Sequence, residues 1–404
     1  MQNINYFCIM KRFKYILRSF ALLFLTIVPY TIYAQNKSND ISISLLTCGP
    51  GDNLYSLYGH TALRFQNKAT GEDIVINYGM FSFQQDFFIL RFVFGKTDYE
   101  MGIQPFEYFK EIYKHEGRWI KEQTLDLTPK EKLAIAQSLN ENYQPQNRVY
   151  RYNFIFNNCA TKANDMICQH LIKERDFTNR KKSNEHASWR QRIHVFSQTS
   201  PWIQFGNDLL LGYEADKPAT LCFLPIDLYN KFEKSSLVEK SQIIVSEDEA
   251  AAYAYPNNNN PILRPYIIFS IISLLIIGIT LYEHHQKKIL WITDLFIFLT
   301  TGLAGLILFI MIFSEHPMVN INFQILLLNP LNFILMFNVI KKLQQGKLYF
   351  WLYAYSIILI IFIIIGFTLQ HYAEGLTLMA CSLLIRYCNH IIILKPHNFP
   401  NNNE

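Results

Sequence analysis

The 404-residue chain has no large excess of charge of either sign: 37 Lys and Arg stand against 32 Asp and Glu, a formal net charge of +5. Its basic residues are scattered or sit beside apolar runs, so the electrostatic footprint of a nucleic-acid-binding protein is missing and no nucleic-acid partner is expected. Cysteine is sparse. Seven residues without a regular framework exclude a disulfide scaffold. No internal repeat of diagnostic period runs through the part before Pro261, which excludes a solenoid. No spaced set of His, Cys, Asp and Glu marks a metal site, and no cofactor is expected.

What is present is unevenly spread. Long apolar runs dominate after Pro261, whereas Gln35 to Asn260 has the composition of a water-soluble domain. The N-terminus reads as a secretory signal: Lys11, Arg12, Lys14 and Arg18 make a basic region, Phe20 to Val28 an apolar one, and Ile32-Tyr33-Ala34 a cleavage site. Translation from Met10 would leave this signal intact. An uncleaved anchor is the alternative, and either version puts the next domain outside the cytoplasm. No cysteine follows the cleavage site, so the chain does not look like a lipoprotein itself. The expected division is a signal over 1–34, an exported domain over 35–240, a linker over 241–260 and a membrane domain over 261–404. The linker holds Glu247-Asp248-Glu249 and the polar tract Asn257 to Asn260.

Five spans are predicted, Pro265 to Leu281, Ile289 to Phe313, Ile325 to Ile340, Leu348 to Leu369 and Leu376 to Leu394. Each approaches the ~20 apolar residues that cross a bilayer, the third being the shortest. Lysine placement supports the count. Lys287 and Lys288, then Lys341, Lys342 and Lys347, then Lys395 mark every loop that should be cytoplasmic; the alternate loops carry Glu315 and Glu374 and no Lys or Arg.

The exported domain mixes α and β signals. A hairpin is predicted from Thr61 to Phe65 and Ile74 to Tyr78, turning within Lys68 to Gly71. Thr128-Pro129-Lys130-Glu131 has the form of a capping box that opens a helix, and Tyr150 to Phe156 reads as a strand. Cys159 then begins a run with Ala163, Met166, Ile167 and Leu171 at helical spacing. A thiol in the first turn of a helix, with an imidazole nearby, is expected to have a depressed pKa and to act as a nucleophile. His60 is the candidate base. Asn77 is the candidate orienter, placed opposite His60 if the hairpin turns between Lys68 and Ala69. The Cys159 N–H, with the Asn158 side chain as a possible second donor, is the candidate oxyanion site. Each assignment has a structural alternative: a buried thiol, a satisfied histidine, an asparagine that caps or ends a strand.

These residues carry a resemblance. A His on a strand after Tyr58-Gly59, followed by a Cys that opens a helix, resembles the circularly permuted NlpC/P60 group, which includes lecithin:retinol acyltransferase-like enzymes. Leu45 to Gly51, Tyr58 to Arg64, Asn77-Tyr78-Gly79, Asn158-Cys159-Ala160-Thr161 and Asp208-Leu209-Leu210-Leu211-Gly212 resemble the periplasmic domain of the Lnb-type lipoprotein N-acyltransferases of Bacteroidetes. The likeness continues through Ser314-Glu315-His316-Pro317 and Asn329-Pro330-Leu331. It implies an α+β, permuted papain-like periplasmic domain followed by an all-α bundle of about five membrane helices. It also implies an inner-membrane enzyme that moves an acyl chain from a phospholipid to the α-amino group of a diacylated lipoprotein. A membrane-anchored cell-wall peptidase or amidase, and a non-catalytic envelope assembly protein, are the alternative functions.

Arg64, Tyr58, Cys48, Glu315 and His316 are further candidate substrate contacts. Cys48 is either a second acyl carrier or a structural thiol, the latter favoured, and Arg64 fits a phosphate or an internal carboxylate equally. Glu315 and His316 are expected at the outer membrane face. Arg180, Lys181, Lys182, Arg190 and Arg192 read as a solvated basic loop rather than a headgroup site.

Overall fold

The computed structural model describes residues 40–53, 55–81, 84, 86–172, 187–198, 200–251 and 264–394. The signal segment, Arg180, Lys181, Lys182, the tract Asn257 to Asn260 and Lys395 lie outside the described residues.

The first part is built on strands β1 (Ile41–Cys48), β2 (His60–Asn67) and β3 (Glu72–Met80), a short helix α1 (Phe88–Val93), β4 (Asp98–Pro105), α2 (Phe106–His115) and β5 (Ile120–Leu125). Then come α3 (Pro129–Tyr143), β6 (Val149–Arg151), α4 (Cys159–Cys168), α5 (Trp189–Ser197), α6 (Pro201–Leu210), α7 (Pro225–Glu233), β7 (Val238–Val245) and α8 (Glu247–Ala251). The strands form one sheet in the order β6-β4-β3-β2-β1-β5-β7, antiparallel throughout. Alternation along the strands sends Leu46, Cys48, Ala62 and Val75 to one face, where Phe106, Phe109 and Tyr113 of α2 cover them. Ile43, Leu45, Leu63 and Ile76 go to the other face, against α3, α4 and α7.

Two expectations change here. The predicted strand from Tyr150 shrinks to Val149–Arg151, because Asn153 folds its side chain onto the N–H groups of Ile155 and Phe156 at 3.0 Å and turns the chain. The predicted linker loses its first residues to β7, an edge strand hydrogen-bonded to β5. Alternation is weak in its sequence, Val-Glu-Lys-Ser-Gln-Ile-Ile-Val, because an edge strand packs only part of one face.

Five apolar helices long enough to cross a membrane follow: α9 (Pro265–Gln286), α10 (Trp291–Met311), α11 (Pro330–Gln344), α12 (Phe350–Thr368) and α13 (Leu376–Leu394), α11 being extended by a 3-10 turn at Phe323–Leu326. The third span is thus broken. Its α-helical part, at about 1.5 Å per residue, is shorter than a ~30 Å hydrocarbon core, and Asn329-Pro330 caps and restarts the chain part-way through. Gly302 and Gly305 on α10 make room for that break: a Cβ on either would collide with the backbone of Phe333 or Leu328.

The two parts are joined by a buried polar latch. Gly212 and Tyr213 donate their N–H groups to the carbonyls of Met318 and Ile321 at 2.7 Å, and Gln324 Nε2 donates to the Asp208 carbonyl at 2.8 Å. Gly212 touches the Ile321 carbonyl so closely that no side chain fits. Arg190 holds the domain side of the latch. Its guanidinium is buried and bonded to Asp208, Asp216 and the carbonyls of Leu211 and Gly212. Arg190 therefore leaves the solvated loop expected for it, and Arg192 pairs with Asp227 at 3.0 Å. The Asp208 to Gly212 motif is accounted for by this junction.

Candidate active site

Cys159 is placed by its cap. Asn158 accepts the Thr161 N–H at 3.0 Å, and the Thr161 hydroxyl accepts the Asn158 N–H at 2.8 Å, a reciprocal cap that fixes the first turn of α4. The Asn158 amide donates to the carbonyls of Phe154 and Phe223 at 2.6 and 2.8 Å. Both of its hydrogens are used, which overturns the expectation of Asn158 as an oxyanion donor: it positions the cysteine instead. The Cys159 sulfur faces the N–H groups of Thr61, Ala160 and Cys159 itself.

The Thr61 contact brings the two distant motifs together. β2 and β3 pair as far as Ala62 opposite Asn77, beyond which β3 bulges against β4, and the Thr61 N–H faces the Cys159 sulfur. His60 is the neighbour of that peptide. It begins β2 directly after Gly59, which has φ +78° and lies against the Cys48 carbonyl where a Cβ has no space.

Asn77 contacts His60, with Nε2 and Oδ1 3.1 Å apart, but the register differs from the one expected. Asn77 stands opposite Ala62 rather than His60, because the four-residue turn is centred one residue later. The pairing moves by two, so the face is kept and the contact becomes diagonal. With Asn77 Oδ1 accepting from Nε2–H, the lone pair lies on Nδ1, the nitrogen left to accept a proton.

Electrostatically the resting pair is neutral. Burial lowers the His60 pKa to about 4, against an opposing contribution from Asn77; the positive charge of Arg118 lowers it further. The Cys159 thiol is pushed up by burial, which outweighs the three N–H groups and Arg118 that favour a thiolate. A depressed cysteine pKa was expected, and desolvation reverses its sign.

The remaining candidates have internal partners. Arg64 makes a two-bond pair with Asp73 at 2.8 and 2.6 Å, reaches Glu122 at 3.1 Å and lies 3.3 Å over the Phe106 ring, so its guanidinium is committed within the fold. The Tyr58 hydroxyl accepts from Asn207 at 2.6 Å and its ring packs on Phe154 and Phe196, tying the site to α6. Cys48 is buried, its thiol hydrogen-bonded to Tyr113 and pushed up to about 12 by burial, the state of a structural thiol. Cys48, Cys159, Cys168 and Cys222 are all free. Glu315 and His316 follow the outer end of α10, where Glu315 N–H donates to the Phe94 carbonyl at 2.9 Å and His316 Nε2 meets the Phe92 carbonyl at 3.1 Å.

Sequence reasoning missed Arg118. It sits in the turn between α2 and β5, donates Nε to the Gly49 carbonyl at 2.8 Å, pairs with Glu116 at 2.8 Å and stacks 4.3 Å over Tyr113. Its Nη2 is buried without a partner, and its charge reaches Cys48, His60 and Cys159. Nothing in the spacing of His115-Glu116-Gly117-Arg118 points to either motif; only the sheet order brings the turn there.

With this geometry in place, comparison with known families gives two matches. The Lnb N-terminal periplasmic domain matches residues 29–192 and the Lnb transmembrane domain matches residues 257–397, together more than half of the chain. The chain belongs to the Lnb family. No curated protein and no solved structure matches it. As an Lnb-type chain it is a multi-pass membrane protein with a periplasmic domain, working in lipoprotein processing.

Proposed function

We propose that this Lnb-type protein is a cysteine-dependent lipoprotein N-acyltransferase of the inner membrane, with a phospholipid as donor and the α-amino group of a diacylglyceryl-cysteine lipoprotein as acceptor. The observation that carries the reading is the meeting of the capped Cys159 helix with the His60 end of β2, where Asn77 leaves His60 Nδ1 with its lone pair.

His60 Nδ1 takes the Cys159 proton as the sulfur attacks the ester carbonyl of the lipid, since neither group is charged beforehand. The tetrahedral oxyanion is met by the Cys159 N–H and by the charge of Arg118, whose Nη2 lacks a partner. Collapse breaks the ester bond, His60 returns the proton to the leaving oxygen, and a lysophospholipid departs from a Cys159 thioester. The lipoprotein amine then attacks that carbonyl. His60 accepts its proton and returns it to the sulfur as the amide forms. Exclusion of water by the apolar surroundings protects the thioester from hydrolysis.

Purified full-length protein incubated with phospholipid and a diacylated lipopeptide should add one acyl chain to the peptide N-terminus, read by mass spectrometry. Cys159→Ala should fold, insert and give no product. N-acylated product at the wild-type rate from this variant rejects the nucleophile.

A further inference from the structure

Helix α1 is out of place for a water-soluble surface. None of its residues is buried, and Phe87 and Ile89 are 79% and 78% exposed, with Leu90 at 54%. A six-residue helix that turns Ile89 and Leu90 to the outside and packs only Phe88 and Phe92 against neighbouring rings has little to stabilise it in water, and an apolar patch of this kind marks an interaction surface. Its one basic residue turns away: Arg91 is held by Asp98 at 2.8 Å and by the Lys96 carbonyl.

The position of α1 names the partner. Its C-terminal carbonyls are bonded to the chain just beyond the outer end of α10: Ser314 Oγ donates to Val93 O at 2.6 Å and Glu315 N–H donates to Phe94 O at 2.9 Å. One turn earlier, Phe309 and Ile310 at the end of α10 are exposed, as is Phe313 just after it. The apolar side of α1 therefore lies level with the end of a membrane span. From α1 a row of rings leads inward: Phe88 stacks on Phe81 at 5.5 Å, Phe81 on Tyr99 at 4.8 Å, and Tyr99 on Tyr152 at 4.0 Å. Tyr152 in turn lies within the electrostatic reach of Cys159.

We infer that α1 is immersed in the outer leaflet and that the acyl chain of a membrane lipid enters the site along Phe88, Phe81, Tyr99 and Tyr152. The immersion stands on the placement of α1; the entry path rests on the acyl-transfer reading above. A helix that lies in the interface with its apolar side chains among lipid tails gives the lipid a route that never crosses water.

The test uses the full-length protein in vesicles of phosphatidylethanolamine and phosphatidylglycerol, with a photo-cross-linking aromatic amino acid at Ile89. Lipid adducts, detected by mass spectrometry, should match those at Ile364 of α12, which faces outward, and exceed those at Thr70 in the exposed β2–β3 turn. Adducts at Ile89 no higher than at Thr70 overturn the immersion. The double variant Ile89→Asp, Leu90→Asp should slow acyl-enzyme formation from vesicle lipid several-fold and leave a water-soluble short-chain nitrophenyl ester unaffected. Equal slowing with both donors overturns the entry path. If Cys159 is not a nucleophile, neither protein turns over the soluble ester, while the cross-linking still decides the immersion.

Discussion

At the scale of single residues, the site works against its own environment. The helix start at Cys159 was legible because a cap, small residues and helical spacing are local signals, and the pairing of His60 with Asn77 was legible because sheet parity survives a register error of two. The charge state was not, because it depends on how much protein closes over the sulfur, a property of the whole domain. Arg118 escaped for the same reason. A neutral pair has a testable pH signature. The folded His60 pKa of about 4 lies below its ordinary 6.5, so between these values the unfolded chain binds a proton that the folded chain does not. The stability from neutral His60 is complete above 6.5 and is lost as pH falls through about 4. As the proposed base, His60 stays able to accept a proton over the same range, so single-turnover acyl-enzyme formation should fall with an acid limb near 4. A limb at 6.5 would mean that the ring is solvated. His60→Ala should cost ~10²- to 10⁴-fold in that rate, and Asn77→Ala less, since Asn77 acts only through the imidazole.

At the scale of elements, the sequence showed helices and strands where each has a local start signal. It failed where a neighbour decides. β7 reads as part of a linker because its pairing with β5 spans more than a hundred residues of chain. The third span was seen as the shortest but not as broken, since the reason lies on α10, in Gly302 and Gly305. The Asp208 to Gly212 motif, recognisable as a pattern, has its explanation only in three dimensions: it is the part of the periplasmic domain that membrane loops grip. Gly212→Ala tests this. The new Cβ overlaps the Ile321 carbonyl, and overpacking of that kind typically costs ~1–3 kcal/mol. The purified full-length variant should melt several degrees below wild type in detergent. Modification of Cys159 by iodoacetamide at alkaline pH should be unchanged, because the latch does not touch the thiol. Wild-type melting would show that the contact is not needed.

At the scale of the molecule, the periplasmic domain and the bundle share one boundary, and the proposed substrates exist only on its outer side. The domain hangs from that side by the latch around Gly212 and by the contacts of Ser314, Glu315 and His316 with α1 and the chain after it. Five spans then put Lys287, Lys288, Lys341, Lys342 and Lys347 on the opposite side, where the surface potential of anionic lipid and the lysine asymmetry both favour them. Orientation is therefore overdetermined, by charge in the sequence and by contact in the fold. Fusions of a periplasm-active phosphatase after Glu315 and after Gln344 read it out. The first should be active and the second silent. The reverse pattern would place Cys159 in the cytoplasm, away from exported lipoproteins, and acyl transfer to them would have to be abandoned even though the site geometry stayed the same.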